Sequence, residues 1–231
     1  MEPVELPAGA TMETAVAIVE GLSASAQSFA FATAMASGPG KAVLLRIPFA
    51  AGGVADVLFE STKPESGGDL VETGGCVYFI SENNIWILPS STSATGRTPF
   101  SALKTDVNDA VGITADANSF YYTRANGQIW RRKLSPPACD GNSGEDEQLI
   151  VEGFSDLTDI VVLDGKLVWR ARDYVQGSGA GIFMYSLGGT TITQIAPADG
   201  YPDSLAYNST LLLFTTNEPP DKSRVRQMAR P

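Results

Sequence analysis

The chain has 231 residues, a formal net charge of −10 and no histidine. The missing imidazole excludes Ser-His-Asp and Cys-His catalysis and histidine zinc sites, leaving carboxylate, lysine, tyrosine or hydroxyl chemistry. The acidity opposes binding to nucleic acid or anionic membranes, and no apolar run reaches the length of about eighteen residues that a spanning helix needs.

The N-terminal stretch MEPVELPAGATMETAV has neither the basic nor the apolar region of a secretory leader. It fits a cytosolic protein or one whose leader precedes this numbering. Residues 18–21 read IVEG, and the same tetrapeptide returns at 150–153, with flanks AIVEGLS and LIVEGFS. Then come five short apolar runs, each with an aromatic third residue: FAFAT (Phe31), VYFIS (Phe79), FYYTR (Tyr122), LVWRA (Trp169) and LLFTT (Phe214). Their spacings are 48, 43, 47 and 45 residues, and the path from Phe214 round through both termini to Phe31 is 48. Self-similarity at such a period marks a propeller or another repeat array.

Each aromatic run is followed by a second apolar stretch: LLRIPF (44–49), IWILPS (85–90), IWRRKL (129–134), IFMYSL (182–187) and VRQMAR (225–230). Asn83-Asn84 and Asn126-Gly127 separate two of these pairs and are hairpin turn signals. Asp140-Gly141, Asp164-Gly165 and Asp199-Gly200 are turn dipeptides ahead of the repeats. A further strand-like segment follows in four repeats: VADVLFES (54–61), PFSALKT (99–105), EQLIVEG (147–153) and TTITQIAP (190–197). The pattern predicts an all-β, five-bladed β-propeller of four-stranded antiparallel blades. Residues 13–20 read as an outermost strand joining the C-terminal blade and closing the ring. The blades fall at about 21–61, 67–105, 106–153, 154–197, and 198–231 with 13–20, all in one domain at 1–231.

The pairing of an aromatic strand (VYFIS, FYYTR, LVWRA) with a following strand such as LLRIPFAAGG or IFMYSLGG resembles the YWTD-like and TolB-like propeller repeats. The resemblance covers all five units through short, degenerate motifs. It implies a binding or scaffolding module related to propellers of secreted or lipid-anchored bacterial proteins. A secreted, periplasmic or surface-anchored location follows as an expectation, with a cytoplasmic one left open.

The repeated aromatics are expected to pack between blades rather than line a ligand site. Asp69, Asp109, Asp159 and Asp203 precede their aromatics by 10 to 13 residues. At strand entries they either converge at a channel mouth, where they would favour Ca2+ or a cationic ligand, or cap turns. The loops after the aromatic strands are long in repeats four (171–181), five (217–223) and one (35–41), and would raise a lip on one face. Arg170, Arg172, Asp173, Tyr174, Glu218 and Lys222 would give that lip mixed charge and one aromatic. The loop PPACDGNSGEDE (136–147) reads as solvated surface, and Asn208-Ser-Thr is an isolated sequon. Cys139 lies in that loop and Cys76 opens an aromatic strand; their expected radial separation favours two free thiols.

No catalytic motif is present and no resident cofactor is expected. The reading that follows is a non-enzymatic module engaging a protein, peptide or glycan on the lipped face. Two alternatives are a carboxylate-dependent glycoside-processing enzyme at the channel mouth and a structural module of a larger surface assembly.

Overall fold

In the computed structural model the described residues are 10–11, 18–20, 29–36, 41–48, 55–64, 68–82, 84–91, 101–102, 109–134, 139, 147–174, 179–197, 201–207, 210–218 and 222–231. They are all-β, arranged as successive antiparallel sheets. The chain forms two compact units, residues 1–110 with 134–145, and residues 111–133 with 146–231.

The first unit holds two sheets. One contains β1 (Ala10–Thr11), β2 (Ile18–Glu20), β3 (Phe29–Ala36), β4 (Lys41–Pro48) and β5 (Asp56–Pro64), with β1 and β2 both pairing with β3. The other runs β6 (Leu70–Thr73), β7 (Cys76–Ser81), β8 (Asn84–Pro89) and β9 (Ser101–Ala102), in that order. Gly74 and Gly75, both at positive φ, make the tight turn that lets Thr73 face Cys76. Leu44, Leu58 and Phe59 of the first sheet pack against Leu70, Val77, Phe79 and Leu88 of the second.

The second unit begins with β10 (Ala110–Ala115), β11 (Ser119–Arg124), β12 (Gln128–Lys133) and β13 (Glu147–Val151), ordered as they occur. A two-stranded ribbon of β14 (Phe154–Ser155) and β17 (Asp173–Tyr174) brackets the next sheet, which is β15 (Ile160–Leu163), β16 (Lys166–Ala171), β18 (Gly181–Ser186) and β19 (Ile192–Pro197). Asp164 and Gly165 both have positive φ in the turn between β15 and β16, the two-residue hairpin expected of an Asp-Gly pair. A three-stranded sheet of β20 (Tyr201–Tyr207), β21 (Leu211–Glu218) and β22 (Lys222–Ala229) completes the unit.

The five aromatics sit on β3, β7, β11, β16 and β21, the second position in each of the five sheets of three or more strands. Phe79, Tyr122, Trp169 and Phe214 are buried, as expected of core residues. Three of them fill the space against the preceding sheet. Phe79 meets Leu44 and Phe59, Trp169 meets Tyr121 and Ile129, and Phe214 meets Leu163, Val168 and Ile182. A sheet buried on both faces explains why these strands read as unbroken apolar runs rather than alternating ones.

Two expectations are corrected. Ile18–Glu20 belongs to the first sheet, where Val19 pairs with Phe31, and is not an outermost strand of the C-terminal sheet. The remaining residues of 13–20 lie outside the described residues. The second IVEG, by contrast, ends an outermost strand, with Val151 opposite Ile129. The tetrapeptide is simply apolar and β-branched enough to suit either position. The thiols are also not free: Cys76 and Cys139 form a disulfide with Cα atoms 5.7 Å apart. Cys76 stands at the end of the Gly74-Gly75 turn, and Cys139 belongs to the same compact unit. The separation inferred from a regular blade is overturned by the bond itself. Most of 136–147 lies outside the described residues, as do Asn208, Asp140-Gly141 and Asp199-Gly200.

Candidate functional site

The long loop of the fourth repeat does not leave its sheet unsupported. Ser155 and Asp173 pair across the short ribbon, as do Phe154 and Tyr174. The Arg172 amide donates to the Ser155 carbonyl at 3.2 Å. Asp173 turns its own carboxylate back, Oδ1 accepting from the Tyr174 amide at 2.8 Å. Above this ribbon the Tyr174 ring lies flat on Phe154, with centroids 4.2 Å apart and planes 8° from parallel. Phe154 in turn meets the Trp169 and Phe183 rings edge-on, at 5.3 Å and 5.0 Å. The half-buried Tyr174 therefore rests on a buried aromatic stack.

Charge surrounds this platform in two layers. At the surface Arg172 pairs with Asp156 at 3.1 Å, with side chains 54% and 60% exposed. Such an exposed pair contributes little stability. Asp156 takes φ of +48°, a conformation asparagine and aspartate tolerate better than other side chains. Deeper, Asp159 accepts the Leu205 amide on Oδ2 at 2.9 Å and pairs with Arg170 Nε at 3.3 Å through the same oxygen. The Arg170 amide donates to the Asp159 carbonyl at 3.2 Å. Asp159 thus fixes β15, β16 and the start of the next sheet together.

The structure brings Asp159, Arg170, Arg172, Asp173 and Tyr174 into one neighbourhood of the second unit. Asp69 lies in the first unit, where its Oδ1 accepts the amide of the adjacent Leu70 at 2.9 Å and its carbonyl accepts the Ile80 amide at 2.9 Å. That is the turn-capping role open to aspartate at a strand entry. Asp109 is half-buried just ahead of β10. Asp203 falls in β20 between Pro202 and Leu205, where the pairing with β21 shifts register. Glu218 and Lys222 are register partners at the end of the β21–β22 hairpin. The side chains of Asp203, Glu218 and Lys222 lie outside the described residues. Among the described residues no three carboxylates, cysteines or histidines gather in a way that could hold a metal ion. Among them, too, no helix is long and apolar enough to cross a membrane.

Sequence reasoning passed over Phe154 and Asp156, which complete the platform. The available signal was an aromatic immediately after IVEG, followed two residues later by an acid, placed as a ribbon partner for the long loop.

No protein-family model and no curated protein matches the chain in sequence. Solved structures do resemble it in fold. A puromycin-hydrolyzing peptidase of Mycobacterium tuberculosis superposes with a TM-score of 0.64 at 14% identity, covering 98% of this chain and 37% of that protein. The extracellular domain of a one-component system of B. thetaiotaomicron gives 0.62 at 11% identity, over 94% of this chain and 27% of that one. A TolB of Agrobacterium tumefaciens gives 0.57 at 13% identity, over 87% of this chain and 73% of that one. The chain therefore spans well under two thirds of the length of the first two. At these identities the likeness is one of fold alone, and it supports a propeller architecture.

Proposed function

We propose that the chain is a five-bladed propeller serving as a non-enzymatic binding module, which engages a protein, peptide or glycan through the lip around Tyr174. Five sheets, each with one repeat aromatic on its second strand, support the blade count. The observation that carries the binding reading is the Phe154–Tyr174 ribbon. It holds an aromatic face beside an exposed Arg172–Asp156 pair on a rigid base. A preordered aromatic flanked by both charges loses little entropy on contact, which suits recognition of polar ligands or peptide. Asp159, one of the four strand-entry aspartates, is engaged by Arg170 and the Leu205 amide, an arrangement suited to holding strands in place.

We place the module outside the cytoplasm. Disulfides persist in oxidising compartments, and Cys76–Cys139 is one. The likeness to an extracellular domain and to a TolB agrees with that location.

The test is a glycan and peptide array probed with the wild-type chain and with an Arg172→Ala/Tyr174→Ala double variant of matched melting temperature. Signal from the wild type that disappears in the variant supports the lip. Equal signal from both proteins refutes it.

A further inference from the structure

The two sulfurs of the Cys76–Cys139 bridge stand in unlike surroundings. Cys76 opens β7, is 5% exposed, and pairs through its backbone with Thr73 of β6 on one side and Pro89 of β8 on the other. Every residue of β7 is buried, so a nucleophile meets protein before it meets the Cys76 sulfur. Cys139 is only half-buried, and its Sγ lies 3.6 Å from the carbonyl oxygen of Gly75. That oxygen also accepts the Ser90 amide at 2.8 Å, which fixes the turn beside the sulfur. Gly74 and Gly75 are both exposed, and a Cβ added to either would meet nothing within 4 Å. The turn next to the Cys139 sulfur therefore borders open space.

The backbone adds a second observation. Cys139 has φ of +33°, in the left-handed region that cysteine seldom adopts. Such outliers persist only where their surroundings hold them, and they gather at functional sites. The bridge to the firmly paired Cys76 is one covalent restraint on Cys139. Opening it lets that φ relax while β7 keeps both of its neighbours. Exposed or strained bridges are the ones that exchange readily, and exchange begins at the sulfur that can be reached.

We propose that Cys139 is a thiol-exchange site, reached across the Gly74-Gly75 turn, at which an incoming thiolate opens the bridge in the folded protein. The incoming thiol first loses its proton to water. Its sulfur then bonds to Cys139 Sγ as the Cys139–Cys76 bond breaks, and Cys76 leaves as a thiolate that takes a proton from water. One disulfide replaces another, with no net oxidation. A second thiol of the reductant then attacks its own sulfur in the mixed disulfide. Cys139 is released as a thiol, and the reductant departs oxidised to a disulfide. The ligand is therefore a thiol, either a small one such as glutathione or the dithiol of an oxidoreductase. This site does not depend on the Tyr174 lip.

The test exposes the folded, oxidised chain to excess reduced glutathione, quenches in acid and maps adducts by peptide mass spectrometry. Glutathione should be found on Cys139 and the free thiol on Cys76, with at least about ten adducts on Cys139 for each one on Cys76. The rate should hold constant through low denaturant, because the fold need not open. A parallel arm uses thioredoxin whose resolving cysteine is replaced by serine, which should be captured on Cys139. Capture of thioredoxin alone identifies a protein dithiol as the reductant, whereas glutathione adducts show that a small thiol suffices. Gly74→Asn keeps a residue that tolerates positive φ and adds bulk to the turn. It should slow thioredoxin capture more than it slows the glutathione reaction, and an unchanged ratio overturns the turn as the route. Adducts on Cys76, adducts in neither arm, or a rate that rises with denaturant as global unfolding does overturn the proposal.

Discussion

Val19 pairs with Phe31 in the register in which Leu70 pairs with Phe79, Ile160 with Trp169 and Leu205 with Phe214. The N-terminal strand is therefore the first strand of the first repeat. Deleting residues 1–20 should strip the neighbour from one edge of β3 and leave its backbone groups to water. The melting temperature should fall by about 5 °C or more. Deleting residues 1–9 alone, which spares both β1 and β2, should fall well short of that. Equal melting of the 1–20 deletion and the full chain would remove β2 from the sheet.

The Cys76–Cys139 bridge closes a segment with a sequence separation of 63. In the chain-entropy model a loop of that size contributes roughly 4 kcal/mol through the unfolded state. Denaturant unfolding should shift to a markedly lower midpoint on adding reductant, and Cys76→Ser/Cys139→Ser should match the reduced wild type without further loss. Because Cys76 is buried while Cys139 is only half-buried, mild oxidant should restore the bridge in the folded, reduced chain without unfolding it.

The period, the aromatic positions and most strand boundaries were legible because they depend on local pattern: apolar runs of strand length separated by Asn-Gly and Asp-Gly turns. The place of Ile18–Glu20 was not legible. A short β-branched segment satisfies an inner or an outer position equally, and only its pairing partner decides between them. The disulfide was missed for a related reason. Cys139 sits in a turn-rich stretch whose local pattern does not fix its distance from Cys76, and regular blade geometry put the two apart. At the lip, Arg172, Asp173 and Tyr174 were visible as an unusual loop composition. Phe154 was not, because its role comes from stacking under Tyr174, a contact between residues twenty apart in sequence.

Three tyrosines carry a pH prediction. Burial pushes Tyr78 up to about 12, and burial with a hydrogen bond to Asp116 does the same for Tyr121. Tyr122 is raised further, by burial and by donating its hydroxyl to Glu147. In the unfolded chain all three would ionise near pH 10. The folded state thus holds more protons above that pH, and stability present below about 10 is lost as pH climbs toward about 12. Phenolate absorbance should show these tyrosines titrating together with loss of structure rather than before it. Independent titration near pH 10 with the fold intact would contradict their burial.

Gly127 links the fold of the third sheet to the lip. It takes φ of +85° in the β11–β12 turn, its amide donates to Arg124, and its carbonyl accepts the Phe154 amide at 3.3 Å. A Cβ at this position would lie 1.7 Å from the Phe154 carbonyl oxygen, so backbone must move. Gly127→Ala should therefore cost about 2 kcal/mol or more, combining an unfavourable φ with displacement of β14. Since Phe154 is the ring on which Tyr174 rests, the damage should reach the lip. Hydrogen exchange of the Arg172 and Tyr174 amides should accelerate beyond what global destabilisation explains. Gly165→Ala is the control: it also sits at positive φ, but nothing lies within 4 Å of the added carbon. It should lower stability modestly and leave the exchange of the lip unchanged relative to the rest of the chain. Matching exchange patterns in the two variants would mean that Phe154 does not position Tyr174.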